Sequence, residues 1–232
     1  MDKRPLVSIL IPVGFAYDGI KECLESLIKN TKDFQRIEVL IKLDQGDKKN
    51  LEIVQSFQDR LPIKIVIMDG RGGYADLHLY TNTLAKSAQG EFIWWWSDEV
   101  RILTPDWDEI IEKECISQIG GLAKFDFDVK PVGGAKYPML SHKWIEITGR
   151  WCNHPSIDSW VNTVAEKAGI YSIQLSIVIE DQNTLIESGI VQKIDQRKRK
   201  RLVGKPILGW ESNEVQNDLM QDVIKLKKHL GI

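Results

Sequence analysis

The chain has 232 residues, room for one large domain or two small ones. Hydrophobic residues make up 43% and charged residues 28%, as in ordinary globular proteins, and a net charge of -2 argues against a general nucleic-acid binder. No apolar run approaches the ~18–20 residues that cross a bilayer. The short apolar run in MDKRPLVSILIPV has no small-residue cleavage site behind it, so it reads as a first strand rather than a signal peptide. Cys23, Cys115 and Cys152 are far apart and odd in number, which suggests neither a disulfide framework nor a zinc site and points to a reducing, cytoplasmic setting.

Leu6 to Val13 is a β-rich run and a first strand. A helix from Gly19 to Asn30 follows, with Ile20, Cys23, Leu24, Leu27 and Ile28 on one stripe and Asp18 as its expected N-cap. Ile37 to Leu43 is a second strand ending on Asp44-Gln45-Gly46-Asp47, then a helix to about Asp59. Ile63 to Met68 is a third strand, ending on Asp69-Gly70-Arg71-Gly72-Gly73. Ala75 to Gln89 is a third helix, with Gly90 expected just past its end. Phe92 to Trp96 is an unbroken apolar run, as in a strand buried on both faces. It stops at Ser97, Asp98 and Glu99.

Four strands alternating with helices predict βαβ units and a mostly parallel sheet, an α/β fold whose loops gather at one edge. Adjacent carboxylates at that edge repel each other and are costly to desolvate. A divalent cation with a bound phosphate would account for them; an acidic turn after an edge strand is the alternative.

Beyond Pro105 the alternation weakens. Helices are expected over Trp107–Ser117, Ser141–Thr148 and Asp158–Ala168, and strands over Gly120–Phe127 and Tyr171–Ile179, the latter ending on Glu180-Asp181. Asp128 to Pro138 reads as a loop. A basic run, Arg197-Lys198-Arg199-Lys200-Arg201, precedes an amphipathic helix over Asn213–Leu230. The run is a solvated face, or a contact for anionic lipid or a diphosphate. Eight tryptophans are read as core first.

In order, VSILIPV with KECLESLIKNT, IEVLIKLDQGD, RGGYADLHLYTNTLAKSAQGEF and WWWSDEVRILTPDWDEII resemble the successive segments of family 2 glycosyltransferases of the GT-A fold. The resemblance spans roughly Leu6 to Asp181. It implies a GT-A-like mostly parallel sheet with a C-terminal helical extension. A catalytic domain over residues 1–185 would divide into a nucleotide-sugar half (1–104) and an acceptor half (105–185), followed by the basic loop and tail helix (186–232). The sequence departs from the family at Val13-Gly14-Phe15, where Thr-Tyr-Asn is usual, at Glu99 in place of Asp, and at Glu180 where a His often stands.

The activity implied is inverting transfer of a sugar from a nucleotide-diphosphate donor to a saccharide or other acceptor hydroxyl, as in polysaccharide biosynthesis, with Mn²⁺ or Mg²⁺ bridging the diphosphate. By resemblance Asp98, Glu99 and Glu180 are metal candidates, and Asp98 is also a donor contact. Asp44 would accept a hydrogen bond from the nucleobase, Arg71 would reach the base or diphosphate, and Pro12, Val13 and Gly73 would line the donor. If Asp44 is not a nucleobase acceptor it is a helix cap, a duty Asp47 is equally placed to take. Asp158 would be the general base; its alternative is a helix N-cap. His78 and Asn82 are expected to pack against the loop after the fourth strand, and Trp144, Trp151 and His154 to line the acceptor pocket or, for Trp144, the core. Rival readings are a catalytically impaired nucleotide-sugar-binding module and a nucleotidyltransferase. The latter usually carries a basic residue in the loop that here reads Gly14-Phe15-Ala16-Tyr17.

Overall fold

A computed structural model describes residues 4–14, 17–69, 73–130, 136–181 and 208–232. Its centre is four parallel strands, β1 (Val7–Pro12), β2 (Ile37–Asp44), β3 (Ile63–Met68) and β4 (Phe92–Trp95), in the order β3-β2-β1-β4. β1 and β2 are buried along their whole length, which is why they read as continuous apolar runs. Helices α1 (Tyr17–Asn30), α2 (Lys48–Gln55) and α3 (Leu77–Ser87) make the crossovers.

The second half extends the same sheet. β7 (Met139–Ser141) pairs antiparallel with β4 and with β6 (Lys124–Lys130); β6 runs parallel to β8 (Ser172–Asp181). β8 in turn pairs antiparallel with β5 (Val100–Ile102), closing the order β3-β2-β1-β4-β7-β6-β8-β5. Following these directions, the carboxyl ends of β1, β2, β3, β4 and β8 all reach one edge. Helices α4 (Trp107–Cys115), α5 (His142–Thr148) and α6 (Ile157–Ala168) cover this half. The tail helix α7 (Asn213–Leu230) lays Val215, Leu219, Val223 and Leu226 against α5 and α6. Its buried Asp222 accepts from Arg150 Nε at 3.0 Å and from the Trp160 indole at 3.2 Å. Among the described residues no helix is long and apolar enough to cross a membrane. The three cysteines are free and buried.

Several expectations are corrected. β5 and β7 were not foreseen; each has three residues, too few to show a period. β6 starts later than Gly120 and runs through Lys130, inside the expected loop. α2 stops at Gln55 and continues only as hydrogen-bonded turns to Arg60. Asp18 lies within the first turn of α1 rather than at its cap. α3 is preceded by a 3₁₀ turn at Gly73–Asp76 and ends at Ser87.

Gly90 is not a left-handed helix terminator. It is required by close approach: a Cβ there would lie 2.6 Å from both the backbone N and the hydroxyl of Ser8. Ser8 accepts from Gly90 N at 2.7 Å and donates to Glu38 at 2.6 Å, and Glu38 also accepts from Lys64 Nζ at 2.7 Å and Gln89 N at 2.5 Å. Burial opposes charge on Glu38, but the hydrogen bonds from Lys64, Ser8 and Gln89 outweigh it and hold the carboxyl below its usual range. This node fixes where the chain enters β4.

Gly90→Ala is expected to lower the unfolding free energy by about 1–3 kcal/mol, read from the urea midpoint, because the neighbour is backbone and cannot swing away. Glu38 has a depressed folded-state pKa. Its stabilisation, measured as the difference from Glu38→Gln, should be full above an unfolded-state pKa of about 4.3 and vanish as pH falls through the lower folded value.

Candidate active site

The site begins with the tryptophan strand. Side chains alternate along β4, so Trp94 and Trp96 point to one face and Trp95 to the other. Trp94 stacks on Phe127 with centroids 4.0 Å apart and meets Trp96 and Trp107 edge-on at 5.0 and 5.5 Å. Its indole donates to the Tyr137 carbonyl at 2.9 Å, while Trp95 stacks on the Tyr137 ring at 5.5 Å. Both faces of β4 thus hold Tyr137 beside the strand's end. There its hydroxyl is 3.3 Å from Ser97 Oγ and hydrogen-bonds Asp181, with Glu99 close enough to act on it. Burial pushes the phenol well above its ordinary pKa, and the Asp181 charge adds to this, so Tyr137 is a neutral hydroxyl.

Three buried carboxylates lie at this end of the sheet. Asp98, Glu99 and Asp181 are 9%, 6% and 3% exposed. Asp98 accepts from the Gly14 N–H at 2.9 Å, tying the end of β4 to the end of β1. Its charge also reaches Cys23 on α1, whose thiol is pushed up, first by burial and then by Asp98. Val100 pairs with Asp181, bringing β8's end beside Glu99. Lys136 Nζ lies 3.6 Å from Asp181.

Glu180, taken from sequence as a metal candidate, pairs instead with Arg101 at 3.6 Å, and Arg101 also engages Glu22. Leu175, Ile177 and Ile179 are the buried positions of β8, and Asp181 shares their phase while Glu180 does not. The period of two was legible, and it favours Asp181 over Glu180 as the acid that faces the cluster.

Pro12 and Val13 stand at the carboxyl end of β1; Val13 is buried and its N–H donates to the Lys42 carbonyl at 3.0 Å. Asp44 ends β2, 7% exposed, with Lys42 Nζ 2.5 Å from its Oδ1. Asp47 caps α2 through Asn50 N, so Asp44 has no capping duty. Gly73, at φ 58°, opens the turn into α3. Arg71, Gly72 and the basic run Arg197–Arg201 lie outside the described residues.

The acceptor half is fastened to α3. Asn82 Oδ1 accepts from Trp151 N at 2.8 Å and Cys152 N at 3.2 Å, and its Nδ2 donates to Cys152 O at 2.7 Å. Asn82 therefore holds the loop before α6, not the loop after β4 as expected from sequence. Trp144 and Trp151 are fully buried and belong to the core rather than to a pocket wall. His154 accepts from Ser156 N at 3.1 Å through Nδ1, which leaves its Nε2–H to donate to Leu208 O at 3.2 Å. It links the start of α6 to the C-terminal segment. Ser156 holds the N-cap position of α6, so Asp158 is in the first turn and not the cap. Tyr74, in the turn before α3, approaches Ser156 Oγ at 3.5 Å.

Among the described residues no group of three or more His, Cys, Asp or Glu is placed to hold a metal ion. A cavity of about 290 Å³ beside Lys124, Asn162, Tyr171 and Ser172 opens where β6 and β8 begin, at the edge opposite the carboxylates, and is not this site.

No protein-family model and no curated protein matches the sequence. Solved structures do. TarS 1–349 from S. aureus in complex with UDP-GlcNAc superposes with a TM-score of 0.64 at 13% identity, over 95% of this chain and 66% of that one. The same protein with UDP gives 0.57 at 15% identity, over 75% and 57%. Mannosyltransferase PcManGT from Pyrobaculum calidifontis, with GDP-Man and Mn²⁺, gives 0.62 at 12% identity, over 99% and 76%. The fold is that of the GT-A glycosyltransferases. The chain spans 57% to 66% of the length of the TarS 1–349 structures it matches. In a GT-A sheet the carboxyl edge, where Asp44, Asp98, Glu99 and Asp181 lie, is the general place for a ligand.

Asn82→Ala would leave the Trp151 and Cys152 N–H groups without their acceptor. It is expected to cost about 1–3 kcal/mol in urea unfolding, and the loop before α6 should show faster amide hydrogen exchange than the β1–β4 sheet.

Proposed function

We propose that the protein is an inverting glycosyltransferase that moves a sugar from a nucleotide-diphosphate donor to an acceptor hydroxyl. The observation that carries this reading is the burial of Asp98, Glu99 and Asp181 at the carboxyl edge of a GT-A sheet, with Glu99 and Asp181 both acting on Tyr137. Structures of the same fold are described with UDP, UDP-GlcNAc and GDP-Man, one of them with Mn²⁺. Adjacent buried acids are unfavourable alone and become favourable beside a cation.

Mg²⁺ and similar cations are commonly held by one or two carboxylates with substrate phosphates completing the shell, so a three-sided protein cage is not needed. Glu99 with Asp98 or Asp181 fits that donor set, Asp181 taking the place assigned from sequence to Glu180. A bound cation supplies Lewis acidity to the leaving diphosphate. Asp44 accepts from the nucleobase, while Pro12, Val13 and Gly73 belong to the donor wall; Arg71 is a further donor-contact candidate by sequence resemblance alone. Asp158 takes the proton of the acceptor hydroxyl on the face opposite the leaving group. Its position in the first turn of α6, beside a loop pinned by Asn82 and His154, gives it a rigid platform. The acceptor is a saccharide or another hydroxyl compound, and the reaction belongs to polysaccharide or related glycan synthesis in the cytoplasm.

One observation favours a metal-free variant of the same reading. Lys136 lies 3.6 Å from Asp181, an ammonium in the region where a cation would bind.

Melting temperature against a panel of nucleotide diphosphates, with and without Mn²⁺, tests the donor site, because a ligand bound only by the folded state stabilises it by mass action. A metal-dependent rise that Glu99→Ala removes is expected. A rise unaffected by metal but lost in Lys136→Met would select the metal-free variant. No rise with any nucleotide would overturn the assignment. Asp158→Asn should leave nucleotide binding intact and reduce transfer by at least about 100-fold; unchanged nucleotide binding with no turnover in the wild type would instead mark a binding module.

A further inference from the structure

Lys42 is a buried cation in the middle of the sheet. It sits on β2, flanked by β1 and β3, in register with Pro12 and Val66. It is 2% exposed. An ammonium there is costly to desolvate, and its partners must compensate. Two are in place: Asp44 Oδ1 at 2.5 Å, and the ring of Tyr80 on α3, whose centroid is 3.7 Å from Nζ. Lys42 and Asp44 are two apart on one strand and share a face, so the pair forms with little rearrangement. Packing alone would be served as well by an apolar side chain at this position, since buried ion pairs rarely out-stabilise apolar replacements.

We propose that Lys42 is a positioning residue for nucleobase recognition: held between Asp44 and the Tyr80 ring, it fixes the Asp44 carboxylate in one orientation. This rests on the reading of Asp44 as the base acceptor. An ionised carboxylate accepts from a ring N–H, which uracil and guanine present on their pairing edges. Cytosine and adenine present a ring nitrogen lone pair there, which repels it. The Lys42–Asp44 pair therefore selects oxo-bases with a ring N–H.

Calorimetric titration of the full chain with UDP, GDP, CDP, ADP and inorganic pyrophosphate, each with Mn²⁺, tests this. The wild type should bind UDP or GDP at least about ten-fold more tightly than CDP and ADP. Lys42→Met should lose about ten-fold in affinity for the preferred base while pyrophosphate affinity stays the same. Its preference for that base over CDP and ADP should fall with it. Lys42→Gln, which keeps a donor for Asp44, should lose less base affinity than Lys42→Met at unchanged pyrophosphate affinity, and serves if Lys42→Met does not fold. A folded Lys42 variant with unchanged base affinity and preference overturns the proposal. If Asp44→Asn abolishes the preference in that case, the base site stands and only the role of Lys42 falls. If Asp44→Asn also changes nothing while pyrophosphate still binds, the base does not sit at Asp44 and both fall. A wild type that binds none of the probes overturns the donor site itself.

Discussion

The candidate site depends on a pairing of three residues with three. Val100, Arg101 and Ile102 meet Asp181, Glu180 and Ile179 across nearly eighty positions of sequence. Without that ladder Glu99 would end a loop and Asp181 would end an edge strand, with nothing to bring them together. The register carries chemical meaning because side chains alternate. One face of the pair holds Arg101 and Glu180, a cross-strand ion pair whose attraction opposes a slip. The other face turns Val100 and Asp181 inward, Asp181 toward Tyr137 and the end of β4. A one-residue slip would exchange the faces and put Glu180 where Asp181 now lies.

Aromatic packing then sets the position of Tyr137. Trp94 takes its carbonyl from one face of β4 and Trp95 its ring from the other. A large buried indole has few rotamers and one polar group, so it fixes a neighbour's backbone at small entropic cost. Farther out, Asn82 and His154 do by hydrogen bonds what the tryptophans do by packing. Asn82 ties the loop before α6 to the donor half, and His154 ties the start of α6 to Leu208. Asp158 inherits its place from those two anchors.

The first half of the fold was legible because each βα unit is long enough to show its period. Apolar runs of six to eight residues and helices with a clear stripe leave little choice of architecture, and parallel strands with short connections place their carboxyl ends together. β5 and β7 were not legible, since three residues carry no pattern and their existence is decided by partners far away. Gly90 illustrates a different limit. A glycine after a helix reads as a terminator, but here the demand comes from Ser8, eighty-two positions earlier. Asp181 and Lys42 were legible in principle. Asp181 falls in phase with Leu175, Ile177 and Ile179, and Lys42 shares with Glu38 and Asp44 the alternate positions of an otherwise apolar strand.

Those alternate positions show how β2 divides its two faces. Ile37, Val39, Ile41 and Leu43 face the apolar side, while Glu38, Lys42 and Asp44 share the side where Tyr80 of α3 lies. The charges fall into two separate clusters. Glu38 at the amino end fixes the entry to β4 through Ser8 and Gln89, and is fully accounted for by folding. Lys42 and Asp44 lie at the carboxyl end, and the adjacent cap is supplied by Asp47. The same strand thus carries one polar cluster whose hydrogen bonds shape the backbone and one in which Lys42 hydrogen-bonds the Asp44 side chain. A side chain oriented at the edge where an α/β sheet binds its ligand is the arrangement recognition requires, because the carboxylate is already desolvated and aimed before the ligand arrives.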